Sequence, residues 1–125
     1  MLAALLAIAL GAVVGAWLRW GLAYWLNPRL EQLPLGTLAA NLVGGYLIGI
    51  AVAVLAAHPG ISPFWRLLVV TGFLGGLTTF STFSAESVAL LGSGAWSAAL
   101  LHAGLHLAGS LAATAAGIGT VRALG

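Results

Sequence analysis

A chain of 125 residues that is 62% hydrophobic and 5% charged is not built for water, because a soluble domain carries about 25% charged residues and a short one keeps much of its surface wet. Its mean hydropathy of +1.13 fits lipid as the solvent. The formal charge of +2 comes from four arginines (Arg19, Arg29, Arg66, Arg122) and two glutamates (Glu31, Glu86), with no basic cluster of the kind that binds nucleic acid and no cysteine for disulfides or thiolate metal sites.

The first apolar stretch covers residues 2–26. Met1 to Trp20 has the length of a secretion leader, but it lacks a charged start and the run continues to Leu26, so it reads as a span. Asn27-Pro28-Arg29 closes it with turn chemistry, and Glu31 and Gln32 follow in a polar loop. The second stretch, 35–57, ends at His58-Pro59-Gly60. The third, 64–91, is entered through Ser62-Pro63 and left through Gly92-Ser93-Gly94. The fourth covers 96–121. Each reaches the ~20 residues needed to cross ~30 Å of hydrocarbon. Trp17, Trp20, Trp25, Trp65 and Trp96 lie near the predicted ends, where interfacial aromatic belts form. The chain reads as one all-α transmembrane domain over 1–125, with no linker and no internal repeat.

Four crossings place both termini and the 58–63 loop on one side, with Arg66 and Arg122. Arg29 lies on the other side, joined by Arg19 if that side chain snorkels. Orientation normally follows an excess of Lys/Arg on cytoplasmic loops. A tally of two against two leaves almost no bias. Equal insertion in both directions would allow an antiparallel homodimer with its two-fold axis in the membrane plane.

Polar groups inside a span are expensive and usually face protein or water. Asn41 in the second stretch has two readings: an interhelical hydrogen bond, or an amide donor aimed at a permeating anion. The third stretch, Thr71 to Ser84, is too rich in Gly, Ser and Thr for a plain lipid-facing helix. Gly75-Gly76 at mid-span predicts a break, which would free carbonyls that lipid cannot satisfy. Those carbonyls could make a sodium site, since hard cations prefer oxygen; the plainer reading is a glycine kink used for packing. Phe80 and Phe83 share one helix face. Their rings fill space or line lipid, or turn positive edges toward a small anion, with the hydroxyls of Thr79, Ser81, Thr82 and Ser84 beside them. Glu86 reads as a proton carrier, a pore-mouth residue, or a carboxyl bonded to a neighbouring helix. In the fourth stretch His102, His106, Ser110 and Thr114 recur every four residues on one ridge, a candidate polar track. His102 and His106 have metal-ligand spacing but no acidic partner next to them, so they are not read as a metal site. Arg19 is deep enough to need a partner or a route to the headgroups, and it reads as a membrane anchor.

Gly36-Thr37-x-x-x-Asn41-x-x-Gly44, the run Gly75-Gly76-Leu77-Thr78-Thr79-Phe80-Ser81-Thr82-Phe83-Ser84-x-Glu86 and the early Gly15-Ala16-x-x-Arg19-Trp20 together resemble the Fluc (CrcB) fluoride channels. The likeness covers essentially the whole chain, and the third-helix run is its most specific part. It implies a dual-topology homodimer in the cell (inner) membrane that lets fluoride leave passively, through two pores per dimer, and so relieves fluoride toxicity. It implies that Phe80 and Phe83 face the ions, that Asn41 is the pore asparagine, and that His106, Ser110 and Thr114 form the polar track. It also implies a central structural Na+, not transported, held by carbonyls of Gly75 and Thr78 from both subunits. Glu86 matches an acidic position of the family.

The alternative is a proton-coupled small multidrug exporter, which needs a membrane carboxylate, and Glu86 is the only candidate. A subunit with no transport of its own would leave a broken third helix without a purpose. A hydrolytic enzyme is not expected: the chain has no Asp and no evident Ser/His/acid set.

Overall fold

A computed structural model describes all 125 residues. Helix α1 runs Leu2–Leu26 and ends in a short 3-10 turn, Asn27–Arg29. Helix α2 is Leu35–Ala57. Helix α3, residues 63–77, starts as an α turn at Pro63–Arg66, widens to a π-helix over Leu67–Leu74 and closes as an α turn at Gly75–Leu77. Helix α4 is Phe80–Gly92 and α5 is Trp96–Leu124. With α3 and α4 taken together as one crossing, four helical segments are long and apolar enough to cross a membrane. The chain is thus a multi-pass membrane protein of all-helical fold.

Local chemistry sets the helix ends. The Asn27 carboxamide oxygen accepts from the backbone N–H of Gly36 at 2.7 Å and of Thr37 at 3.3 Å, and so caps α2 from across the loop. Ser62 caps α3 through Phe64 N–H at 3.3 Å, with Pro63 in the first turn, where its missing N–H costs nothing. Gly94, at φ +79°, is the one left-handed residue and turns the chain between α4 and α5.

Packing relies on small residues rather than on a large apolar core. Only 16 of the 125 residues are buried, and leucines such as Leu2, Leu10, Leu100 and Leu111 face outward, which suits lipid and not water. Glycines bring the helices into backbone contact. A Cβ on Gly72 would stand 2.7 Å from the carbonyl oxygen of Ile8, and one on Gly76 would stand 2.6 Å from that of Ala12. Gly11 and Gly15 of α1 meet the α3 backbone at Leu68 and Phe73. The same device joins α2 to α5, where Gly49 meets Thr114 and Gly117 meets Tyr46.

The break in the third crossing lies later than the sequence suggests. Gly75 and Gly76 are both helical. The backbone becomes extended at Thr78 (φ −87°, ψ 156°) and Thr79 (φ −151°, ψ 124°). Glycine does permit a break at 75–76, but Gly76 is held helical against α1. The chain leaves the helix after Thr78, whose N–H still bonds the Leu74 carbonyl, because a side chain of α2 captures the backbone of Thr79.

Gly15→Val places a branched side chain against the Phe73 carbonyl and should destabilise the protein by ~3 kcal/mol or more, since the backbone must move. Gly21→Ala, where an added Cβ meets nothing within 4 Å, should change stability by less than ~1 kcal/mol. Thermal melting in detergent reads both; equal losses would contradict the close-packing account.

Candidate functional site

The break is organised by Asn41. Its carboxamide oxygen accepts from the Thr79 N–H at 2.8 Å, and its amide nitrogen donates to the Thr79 carbonyl at 3.0 Å and also lies 3.0 Å from His106 Nδ1. One side chain thus replaces the helix partners of an extended residue inside the membrane, where no water serves. Of the two sequence readings of Asn41, this geometry matches the interhelical hydrogen bond, and both amide hydrogens have partners within the chain.

Arg19 supplies the second support. Its Nε donates to the carbonyl of Gly76 at 2.9 Å, one of the acceptors released where α3 stops. The side chain read as a membrane anchor has therefore found a protein partner. Thr79 starts the helix again: its hydroxyl accepts from Thr82 N–H at 3.1 Å as the N-cap of α4. The Thr79 N–H that would close a turn on Gly75 goes to Asn41 instead, which leaves the Gly75 carbonyl without that partner.

Beside the break lies an open groove of about 480 Å³. Asn41, Gly75, Thr78, Phe80, Phe83, His106 and Ser110 line it, so most of the predicted pathway residues meet on one surface. Phe80 is 80% exposed, and its ring meets that of Phe83 edge-on, with centroids 5.6 Å apart. Phe83 in turn lies 4.6 Å from the His106 ring and 5.2 Å from the His102 ring. No arginine or glutamate borders the groove.

Three predicted pathway residues, Ser81, Thr82 and Thr114, do not line it. The Ser81 hydroxyl lies 3.4 Å from that of Thr79, and the Thr82 hydroxyl lies 3.1 Å from it, so both belong to the α4 cap. Thr114 bonds the Gly45 and Ser110 carbonyls, each at 3.0 Å, and fastens α5 to α2. Glu86 lies off the groove as well. Its Oε2 accepts from the Thr37 hydroxyl at 2.8 Å, and its Oε1 is 3.6 Å from His102 Nε2. Of its three sequence readings, this geometry matches a carboxyl bonded to neighbouring helices.

The structure brings to Glu86 two residues that the sequence placed only in patterns, Thr37 in a motif and His102 on the fourth-stretch ridge. Thr37 is 1% exposed and holds Glu86; the Gly36-Thr37 motif carried it, but only as part of a pattern. His102 is also 1% exposed and sits beside Glu86 and His106. Its fourfold spacing from His106 was visible, whereas the acidic neighbour comes from another helix.

A family model, CrcB-like protein, Camphor Resistance (CrcB), matches residues 6–118. A protein of Thiobacillus denitrificans named "Fluoride-specific ion channel FluC" is 58% identical over 121 residues, 97% of this chain and 98% of its own. One of the same name from Pseudomonas putida is 60% identical over 120 residues, 96% of this chain and 94% of its own. A third, from Pseudomonas syringae pv. maculicola, is 58% identical and covers 100% of this chain and 98% of its own. A four-crossing fold, a third crossing broken beside paired phenylalanines, and a family match over nearly the whole length agree: the chain belongs to the CrcB family.

Proposed function

We propose that this chain forms a fluoride channel. The observation that carries the reading is the groove at the break, where the rings of Phe80 and Phe83, edge-on to each other, stand beside His106 and Ser110 without a fixed cation. Relatives near 60% identical bear the name of that activity. Fluoride is small and holds its water tightly, so a pore must offer donors in place of hydration. Ring edges, hydroxyls and an imidazole N–H are such donors, each of modest strength. A fixed guanidinium would bind too firmly, and conduction needs an ion that can also leave. Transport is passive, outward along the ion's own gradient, and relieves fluoride toxicity at the cell (inner) membrane.

The working unit in this reading is an antiparallel homodimer with two pores. The near-even split of arginines between the two sides allows insertion in both directions. Phe80, 80% exposed on a single chain, gains a protein neighbour if a second copy covers the groove. A structural Na+ fits the donor set at the break. The carbonyls of Gly75 and Thr78 are hard oxygen ligands at the end of α3, and two from each subunit make four. The ion would tie the two broken helices together.

The multidrug-exporter reading needs a carboxylate that cation and proton reach in turn. Glu86 is engaged by Thr37, its side chain is 16% exposed, and it does not border the groove. The geometry favours the channel.

Purified protein in liposomes loaded with fluoride or chloride should release fluoride rapidly and retain chloride. Uptake of a cationic drug driven by a pH gradient would favour the exporter. Phe80→Ile and Phe83→Ile remove the ring edges but keep apolar bulk. Each should slow fluoride release about tenfold, equivalent to ~1.4 kcal/mol of barrier, with the dimer still intact on size exclusion. Unchanged flux would remove the rings from the pathway.

A further inference from the structure

The hydrogen bonds around Asn41 fix a proton position that nothing in the sequence specifies. A backbone N–H can only donate and a carbonyl can only accept. Thr79 presents one of each to Asn41, at 2.8 and 3.0 Å, so the carboxamide has a single orientation. Its nitrogen then points its second hydrogen at His106 Nδ1, 3.0 Å away. That nitrogen must accept. A neutral imidazole that accepts at Nδ1 carries its hydrogen on Nε2.

The Nε2 atom of His106 is buried and has no partner in the chain. A buried N–H in that state calls for an acceptor. Glu86 Oε1 and His102 Nε2 are also unpartnered and lie 3.6 Å apart, and one ligating atom each of Glu86, His102 and His106 lies within 4.8 Å of the other two. Two histidines and a carboxylate resemble the ligand set of a transition metal. The fixed hydrogen argues against one, because it occupies the lone pair on His106 Nε2 that the metal would need. A small acceptor such as fluoride fits a fixed N–H beside the ring of Phe83, 4.6 Å from His106.

We propose that Asn41 is a positioning residue that acts on the anion through His106, by holding the imidazole hydrogen on Nε2 as a donor toward the pathway. The proposal rests on the fluoride-channel reading. Asn41's own amide hydrogens are spent on Thr79 and His106, and the donor that reaches the ion belongs to the histidine.

The test uses the full chain in lipid with nitrogen-15-labelled histidine. The His106 signals, identified by their loss in His106→Gln, should show hydrogen on Nε2 and none on Nδ1. Asn41→Asp keeps an acceptor for Thr79 N–H but turns the group facing His106 into an acceptor too, so the hydrogen should move to Nδ1. Fluoride release should fall roughly tenfold in that variant, the size of one lost hydrogen bond to an ion. His106→Gln, which keeps an N–H donor, should stay within about threefold of the parent, and His106→Leu should be as slow as Asn41→Asp. Hydrogen on Nδ1 in the parent protein overturns the proposal without any variant, whether or not Asn41→Asp folds. So does a tautomer that Asn41→Asp leaves unchanged, or a His106→Gln as slow as His106→Leu. Parent vesicles that retain fluoride would overturn the channel reading itself, and the spectrum would then still decide whether the lock exists.

Discussion

The contact between Asn41 and the backbone of Thr79 is the constraint on which the site depends. A helix cannot stop halfway across a bilayer unless its released backbone groups find partners inside the protein. Here α2 supplies one side chain that satisfies both polar groups of Thr79, at 2.8 and 3.0 Å, and α1 supplies Arg19 for the Gly76 carbonyl at 2.9 Å. These bonds permit the extended residues Thr78 and Thr79, and the extended residues set the direction in which α4 begins. Phe80 is the first residue of that helix and Phe83 lies one turn on. The orientation of both rings therefore descends from a hydrogen-bond arrangement on two other helices.

The close glycine packing serves the same end. Helices α1 and α3 touch backbone to backbone at Gly72 and Gly76, which lets Arg19 reach across to the end of α3. Helices α2 and α5 touch in the same way at Gly49 and Gly117, which keeps Asn41 and His106 within 3.0 Å of each other. Contact this close comes from small residues, since apolar side chains gain little by leaving lipid for one another. The bulky side chains are left to face outward, and the protein spends its precision on a few polar groups.

The four crossings were legible because hydropathy and length state them directly, and the helix ends at 26, 35 and 57 agree with the sequence reading. The family was legible from the Gly75 to Glu86 run. The break was legible as an event but not in place. Glycine content points to 75–76, while the decision falls at Thr78 and Thr79 because Asn41, 38 residues away, takes the Thr79 backbone. Arg19 looked like an anchor because a sequence shows depth but not neighbours. The Glu86, Thr37 and His102 contacts join α4, α2 and α5, and no local pattern encodes such a meeting. Thr114 fell on the polar ridge by spacing, yet its hydroxyl bonds two carbonyls across the α2–α5 contact.

The account holds that neutral donors arranged by a broken helix pass fluoride and refuse chloride. The most direct measurement is the reversal potential of the reconstituted protein in a planar bilayer, with a tenfold fluoride gradient and equal chloride on both sides. A current that reverses near the fluoride equilibrium potential, ~59 mV from zero for a singly charged ion, is the predicted result. Reversal at zero would mean that chloride carries the current, and would contradict it.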